Sequence, residues 1–400
     1  MNSLGQSNFA PVPNRVTFFS IITSISSSNL NTLLLTSILL IISHIYSYIL
    51  IYIKIDISFG CNNVGGYVHI TEKEVIDKVN QLESIIEQYK QENPYEDTRD
   101  WKTYEEKLAH RIRIAIRSLE PMIDEAIATL HIVEDDEKRG KPQSLTLKQK
   151  VTLLLIKQLI GKSNREMSGM LVLFSLLNDV DVSYKTVERL YNDEEVYLVL
   201  CNLVQLTLRK KDVKEVDGSG DGTGYSLSIR RHYATEASKR NEEVKENKED
   251  YKKSFAYSFT LLDLDTKMYV GYGSSMRSER EAYNKARDMM KRLGVKMRTI
   301  RLDRYYSGQS TLEQFNGTTF YFIPKKNTTL RGGYEWNRRL FDFVNNTFDY
   351  LRDYFGRENS EAEFSADKRR FGWTVRQRID NRIDTALLAI VVWHNMYHIG

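Results

Sequence analysis

The chain has 400 residues, 41% hydrophobic and 28% charged, with a net charge of +4. That is enough apolar material for two or three folded domains, and too mild a basic excess to demand a nucleic-acid partner by itself. Its two cysteines, Cys61 and Cys201, exclude a disulfide framework and a cysteine-based zinc cluster and fit a reducing interior.

Residues 1–70 differ from the rest. Leu33 to Ile53 contains no Lys, Arg, Asp or Glu, which makes it a candidate membrane span by length and apolarity. No small-residue cleavage site follows it, so it does not read as a signal peptide. The segment is rich in Ile, Ser, Tyr and Asn, and no Met lies between Met1 and Met122. Two expectations stand side by side: a membrane anchor over residues 33–53, and an over-extended reading frame.

From Thr71 the pattern becomes helical. Thr71 and Glu74 have the spacing of a capping box, and Ile76, Val79, Leu82, Ile86 and Tyr89 repeat at three and four. Asn93-Pro94 ends that run. A second helix is expected from Trp101 to Leu119, restarting at Pro121 with Ser118 as its cap. Asp135 to Pro142 reads as a linker, so residues 71–142 form a helical region. Residues 145–208 have the rhythm of a helix-turn-helix. Leu147 to Ile160 is apolar-periodic, Gly161-Lys162 turns the chain, and Ser163 with Glu166 caps a second helix. Ser183 opens a short third helix that exposes Lys185 and Arg189, side chains able to reach phosphates or base edges.

At Asp212 the period changes from helix to strand. Val213 to Asp217 alternates, and GSGDGTG follows as a glycine-rich turn. After a charged insert, Ser254–Leu264 and Lys267–Tyr272 read as strands joined at Asp265-Thr266. A helix from Ser278 to Leu293, a strand from Arg298 to Leu302 ending in Asp303, a helical turn at 312–315, a strand at 318–323 and closing helices after Trp336 complete a mixed α/β domain over residues 212–400.

Three acids fall where such a sheet gathers ligands: Asp217 in the first strand, Asp303 at a strand's C-terminal end and Glu361 on a late helix. Three carboxylates suit Mg²⁺ or Mn²⁺. Around Glu361, the residues Tyr354, Arg357 and Lys368 follow offsets that bring all four side chains onto one stripe of a helix. Other motifs fail on spacing. Thr223 replaces the third glycine of a dinucleotide fingerprint, Ser228 stands where a calcium loop needs Glu, and Ile156 replaces the first glycine of a phosphate loop. His394 and His398, four apart, read as packed residues of a closing helix.

With Asp217, Asp303 and the Tyr354-x2-Arg357-x3-Glu361-x6-Lys368 pattern together, the sequence resembles the DDE transposases of prokaryotic insertion sequences. The pattern matches their Y-R-E-K signature at full spacing, and EVDGSGDGTGYSL, IRLDRYYSG and NSEAEFSADKRRFGW look most like archaeal members. The resemblance implies an RNase H-like catalytic domain, with Asp217, Asp303 and Glu361 as catalytic metal ligands for two Mg²⁺ or Mn²⁺ ions. It implies that Arg357, Lys368 and Tyr354 hold phosphates of double-stranded DNA. Arg369, Arg370 and Arg376, with Arg378 and Arg382, extend a basic strip along the backbone. The first motif offers both Asp217 and Asp221; Asp217 is preferred because it sits in the strand and Asp221 falls in the glycine-rich turn. The resemblance further implies strand transfer by a homodimer or larger paired-end complex on element ends and target DNA, in the cytoplasm at the nucleoid. The rivals are an RNase H-like nuclease without strand transfer and a decayed copy that only binds DNA.

Overall fold

The computed structural model describes residues 70–94, 100–130, 145–178, 181–227 and 255–400. The membrane or reading-frame question at 33–53, the linker at 135–142 and the charged insert at 235–253 lie outside them. Among the described residues no helix is long and apolar enough to cross a membrane.

The first elements are three helices, α1 (Glu72–Asn80), α2 (Leu82–Glu92) and α3 (Trp101–Ala128). The Thr71–Glu74 capping box forms with both reciprocal bonds. Pro121 does not restart a helix as expected, because α3 runs through it. Proline inside a helix sacrifices one backbone bond, and the burial of Leu119, Met122, Ile123 and Ala126 around it keeps the turns together. Four helices follow: α4 (Leu147–Ile160), α5 (Met167–Asn178), α6 (Tyr184–Leu190) and α7 (Glu194–Lys210). Gly161 ends α4 at φ +69°, Ser163 and Glu166 exchange capping bonds before α5, and Ser183 caps α6.

A five-stranded mixed sheet forms the centre of the second half. Its strands are β1 (Glu215–Ser226), β2 (Phe255–Asp263), β3 (Tyr269–Ser275), β4 (Lys296–Leu302) and β5 (Thr319–Tyr321), in the order β3-β2-β1-β4-β5. β1, β2 and β3 are antiparallel neighbours, while β4 and β5 run parallel to β1. Between β3 and β4 lies α8 (Glu279–Arg292), and a one-turn helix, α9 (Gln309–Leu312), precedes β5. The chain closes with α10 (Tyr334–Asn345), α11 (Thr347–Phe355), α12 (Glu358–Phe371) and α13 (Asp380–Tyr397).

The glycine-rich segment is strand, not turn. From Asp217 to Tyr225 every even position is Gly and every odd one is not, so the two faces of β1 differ completely. On the even face, neighbouring side chains lie against the backbone. A Cβ at Gly220 would meet Leu302 at 2.6 Å and Leu261 at 2.9 Å, and one at Gly222 would meet Glu279 at 2.4 Å. The glycines are there for close approach.

Residues 70–400 form one compact unit. The helices before residue 210 share their core with the sheet, and α13 joins them. Trp393 Nε1 donates to the Leu155 carbonyl (2.9 Å), Thr385 Oγ1 to the Tyr191 carbonyl (2.9 Å) and Tyr197 to Asp384 (3.0 Å). A second cluster packs Val79 and Leu82 against Phe343, Tyr350, Leu351 and Tyr354, so α1 and α2 back the helix that carries Tyr354.

Candidate active site

The odd face of β1 builds the site. Asp217, Ser219, Asp221, Thr223 and Tyr225 alternate along it, and α12 lies over them. Ser360 Oγ donates to Ser219 Oγ at 2.8 Å with both residues fully buried. Further along, Lys368 Nζ donates to Thr223 Oγ1 at 2.5 Å. From Ser219 to Thr223 is about 13 Å of strand, and from Ser360 to Lys368 about 12 Å of helix. The matched rises keep helix and strand in step, and this fixes Glu361 and Lys368 at different points along one strand.

The four motif residues do not share one helix. α11 ends at Phe355 and α12 begins at Glu358, with Gly356 and Arg357 between them in right-handed helical geometry. Ser360 is therefore a packing residue inside α12. Arg357 occupies the joint, where Nη1 reaches Asp221 Oδ2 at 3.3 Å and Nη2 reaches Glu361 Oε1 at 2.8 Å. Tyr354 is only 7% exposed. It lies close enough to Arg357, Asp303 and Asp221 to feel their charges, and burial lifts its phenol to about 12.

The strand register decides between the two aspartates of the first motif. In the parallel β1–β4 pair, Asp217 opposes Thr299 and Gly220 opposes Leu302, the last paired positions. One step on, Asp221 comes level with Asp303, on strands about 4.8 Å apart. Asp217 lies four residues earlier, about 13 Å along the strand. Its carboxylate is already satisfied: the Arg298 guanidinium binds both oxygens and Thr299 Oγ1 donates at 2.7 Å. The Arg298 bonds hold Asp217 below the usual carboxylate range. Asp221 is the opposite case. Burial pushes its carboxyl up to about 6; Arg357 and the Gly222 amide (2.9 Å) pull it down, and Glu361 and Asp303 push it up again. The premise behind the preference for Asp217 is therefore corrected: Asp221 is a strand residue, not a turn residue, and its carboxylate is the one that feels Asp303 and Glu361. The period-two alternation of glycine through residues 218–224 is the sequence signal that marks Asp221 as a strand residue.

The basic residues divide into outward and inward sets. Arg369, Arg378, Lys185 and Arg189 are exposed. Arg376 meets Glu166 at 3.3 Å. Arg370 turns inward, with its guanidinium 5.2 Å from the Tyr397 ring and 3.8 Å from Asp367, and Arg382 pairs with Glu188 of α6. Neither of these two belongs to an outer strip. Lys368 is 6% exposed, its Nζ lying 5.2 Å from the Tyr225 ring centre and 5.0 Å from that of Trp373, and burial pushes its ammonium down to about 8.

His394 is fully buried, its Nδ1 3.1 Å from both Asp367 oxygens and its Nε2 2.7 Å from the Lys267 carbonyl. This bolts α12 to α13 and to the β2–β3 turn. Glu363, His394 and His398 lie close enough together to share an ion, but both His394 nitrogens are engaged in that bolt.

No protein-family model matches the chain. Among curated proteins, it is 41% identical over 342 residues to the probable transposase for insertion sequence element ISA1214 of Archaeoglobus fulgidus, a match covering 85% of this chain and 98% of that protein.

Proposed function

The chain belongs to the transposases of insertion sequence elements, and from that premise we propose that it is a DDE transposase with an RNase H-like core, cutting at the element's ends and joining the freed 3′-hydroxyl to target DNA. The strand order β3-β2-β1-β4-β5, with its first three strands antiparallel and the next two parallel to β1, supports the fold reading. The observation that carries the chemistry is the convergence of Asp221, Asp303 and Glu361 around Arg357, which interacts with all three. Three carboxylates against one guanidinium leave an acidic excess between the middle of β1 and the C-terminal end of β4, and Asp221 is held at about 6 by burial. An uncompensated, all-oxygen donor set of this kind fits Mg²⁺ or Mn²⁺.

Asp221, Asp303 and Glu361 would hold two such ions. Bound there, the ions would lower the pKa of an attacking water and neutralise charge on the phosphodiester. Arg357 holds Asp221 and Glu361 in fixed relation through its two nitrogens, and Tyr354 walls the site from behind. Lys368, about two helical turns beyond Glu361, places a cation beside the path of the DNA backbone. Asp217 has a structural role, tying the start of β1 to Arg298 and Thr299. The exposed Lys185 and Arg189 on α6 suit phosphate or base contacts within the element's terminal repeat. Joining two ends in one event calls for two copies of the site, so a homodimer or larger paired-end complex belongs to this reading.

The test is a strand-transfer assay on labelled DNA carrying the element's ends, with Mg²⁺ or Mn²⁺. Joined products that vanish in Glu361→Gln and Asp221→Asn but persist in Asp217→Asn are expected. Specific binding with neither cutting nor joining would overturn the reading in favour of a DNA-binding protein, and cutting without joining would favour a nuclease.

A further inference from the structure

α12 meets the end of α13 through a set of side chains that the candidate active site does not use. Glu363 and Asp367 stand four residues apart on α12, and His394 and His398 four apart across the last turn of α13 and its cap. Each pair therefore projects from one face of its helix. A Glu363 oxygen and one ring nitrogen from each histidine lie within 4.8 Å of one another. The Glu363 and His398 side chains are only 19% and 8% exposed. Among the described residues, His398 Nε2 is buried without a hydrogen-bond partner, an arrangement that costs stability. It stands 3.6 Å from Glu363 Oε2, too far for a hydrogen bond. Two ligands of a tetrahedral ion, each bonded at about 2.0–2.2 Å, sit about 3.4 Å apart, so this pair already has a ligand spacing. Burial holds His398 below the usual histidine value, which keeps its imidazole in the neutral form that binds metal.

His394 is the demanding member, because Nδ1 faces Asp367 and Nε2 faces the Lys267 carbonyl. An ion has to displace one of these contacts and can keep the other. If Nε2 turns to the ion, Nδ1–H still donates to Asp367; if Nδ1 turns, Nε2–H still donates to the Lys267 carbonyl. Either way the ring retains the outer hydrogen bond that orients a metal-bound histidine. The electrostatics agree. Burial lowers the His394 pKa, but Asp367 and Glu363 outweigh it and hold the value above the usual one. The pocket thus draws positive charge, which a metal ion can supply in place of a proton. We propose that Glu363, His394 and His398 bind a transition-metal ion, Zn²⁺ by donor chemistry, that clamps α12 to α13. Two imidazoles and one carboxylate suit Zn²⁺ with a water as fourth ligand, and they discriminate against Mg²⁺, which prefers an all-oxygen set. Glu361 lies two residues before Glu363, about 200° around the helix, so the clamp grips α12 from the side away from the proposed catalytic acid.

The experiment uses the full chain, stripped of metal with a chelator and then dialysed against micromolar Zn²⁺ in excess Mg²⁺. Bound zinc is measured by elemental analysis, and the melting temperature is recorded with and without Zn²⁺. The wild-type chain is expected to take up a single zinc per chain and to melt higher with it, by mass action. Asp221→Asn should keep that zinc, because the excess Mg²⁺ and the proposed catalytic acids are separate from this site. His398→Ala and Glu363→Gln should each lose zinc and the melting response, a larger effect than the about 10–100-fold weakening that removal of an outer partner causes. A wild-type chain that takes up zinc only at millimolar concentration, or not at all, overturns the proposal without any variant having to fold, and leaves an ordinary packed pair. Zinc retained in both His398→Ala and Glu363→Gln overturns it as well. So does zinc lost in Asp221→Asn, which would put the ion on the catalytic acids. The readout involves no DNA, so the result stands apart from the fate of the proposed function.

Discussion

β1 carries two aspartates on one face, four residues apart, and the protein treats them in opposite ways. At the Asp217 end the Arg298 guanidinium and the Thr299 hydroxyl complete the carboxylate, holding its pKa low. At the Asp221 end the carboxyl is buried, has one shared guanidinium, and faces two further acids, which leaves it at about 6. A carboxylate satisfied by its own protein has little capacity left for a cation. One that is buried, crowded and under-compensated is unfavourable alone and becomes favourable when positive charge arrives. By that criterion the proposed function takes Asp217 as a strut and Asp221 as a ligand.

Exchanging each for its amide is the sharpest way to break the contrast. Asp221→Asn is expected to reduce cleavage by about 10²–10³-fold or more, as loss of an electrostatic element in a reacting site does. Asp217→Asn should leave the rate per folded molecule within a few-fold of wild type and lower the melting temperature slightly, because its Arg298 partner is 59% exposed and such pairs contribute about 1 kcal/mol or less. Equal losses of rate in the two variants would erase the distinction.

Divalent metal should sharpen it. Mg²⁺ or Mn²⁺ binding to the folded chain raises its stability by mass action. Wild type and Asp217→Asn are expected to melt higher with added Mn²⁺, and Asp221→Asn to show a clearly smaller shift. A wild-type chain whose melting does not respond to Mn²⁺ would count against the donor set itself.

The helical caps were legible in the sequence because they are local: Thr71 with Glu74, Ser163 with Glu166, Ser183 and Ser278 each precede a helix, and each side chain accepts a backbone amide in the structure. Asp303 and Glu361 were also placed by local pattern, at a strand end and on a late helix, and they lie there. The glycine-rich run was misread as a turn because glycine has two meanings. It permits turns, and it permits close approach; only the packing of Leu302, Leu261 and Glu279 against β1 shows which applies. The joint between α11 and α12, and the inward turn of Arg370 onto Tyr397, depend on partners distant in sequence. Helical periodicity alone gives neither. The division near residue 210 follows a change of period, yet α13 fills one core with residues from both sides of it.

Acid titration of the metal-free chain probes the Asp221 end directly. A carboxyl at about 6 when folded, against 3.8 as its reference, binds more protons folded than unfolded across that window. Its contribution to stability is thus complete below about pH 3.8 and is lost as the pH rises through about 6. The loss amounts to about 3 kcal/mol by linkage. Urea unfolding of wild type and Asp221→Asn at pH 4.5 and 7 should show the difference. Asp217, held low, has the opposite sign: its contribution is present at neutral pH and is lost on acidification.

Lys368 extends the comparison to the next position on the same face. It meets Thr223, two residues beyond Asp221, and it too is buried in the form that water would favour charged. Burial holds it at about 8 against a reference of 10.5. The unfolded chain therefore binds more protons between these values, and stability rises as the pH climbs through that interval. Two contacts offset the cost at neutral pH: the hydrogen bond to Thr223 and the rings of Tyr225 and Trp373 around Nζ, each worth about 1 kcal/mol. Lys368→Met keeps the volume and removes both the cost and the contacts. Its stability at pH 7 should lie within about 1 kcal/mol of wild type, with a flatter profile from pH 8 to 10.5, while its affinity for the DNA end falls and the salt slope of binding drops by about one phosphate contact. A large loss of stability at every pH would make Lys368 a strut like Asp217. A loss confined to DNA binding would place it with Asp221, among the groups kept at a disadvantage until the substrate arrives.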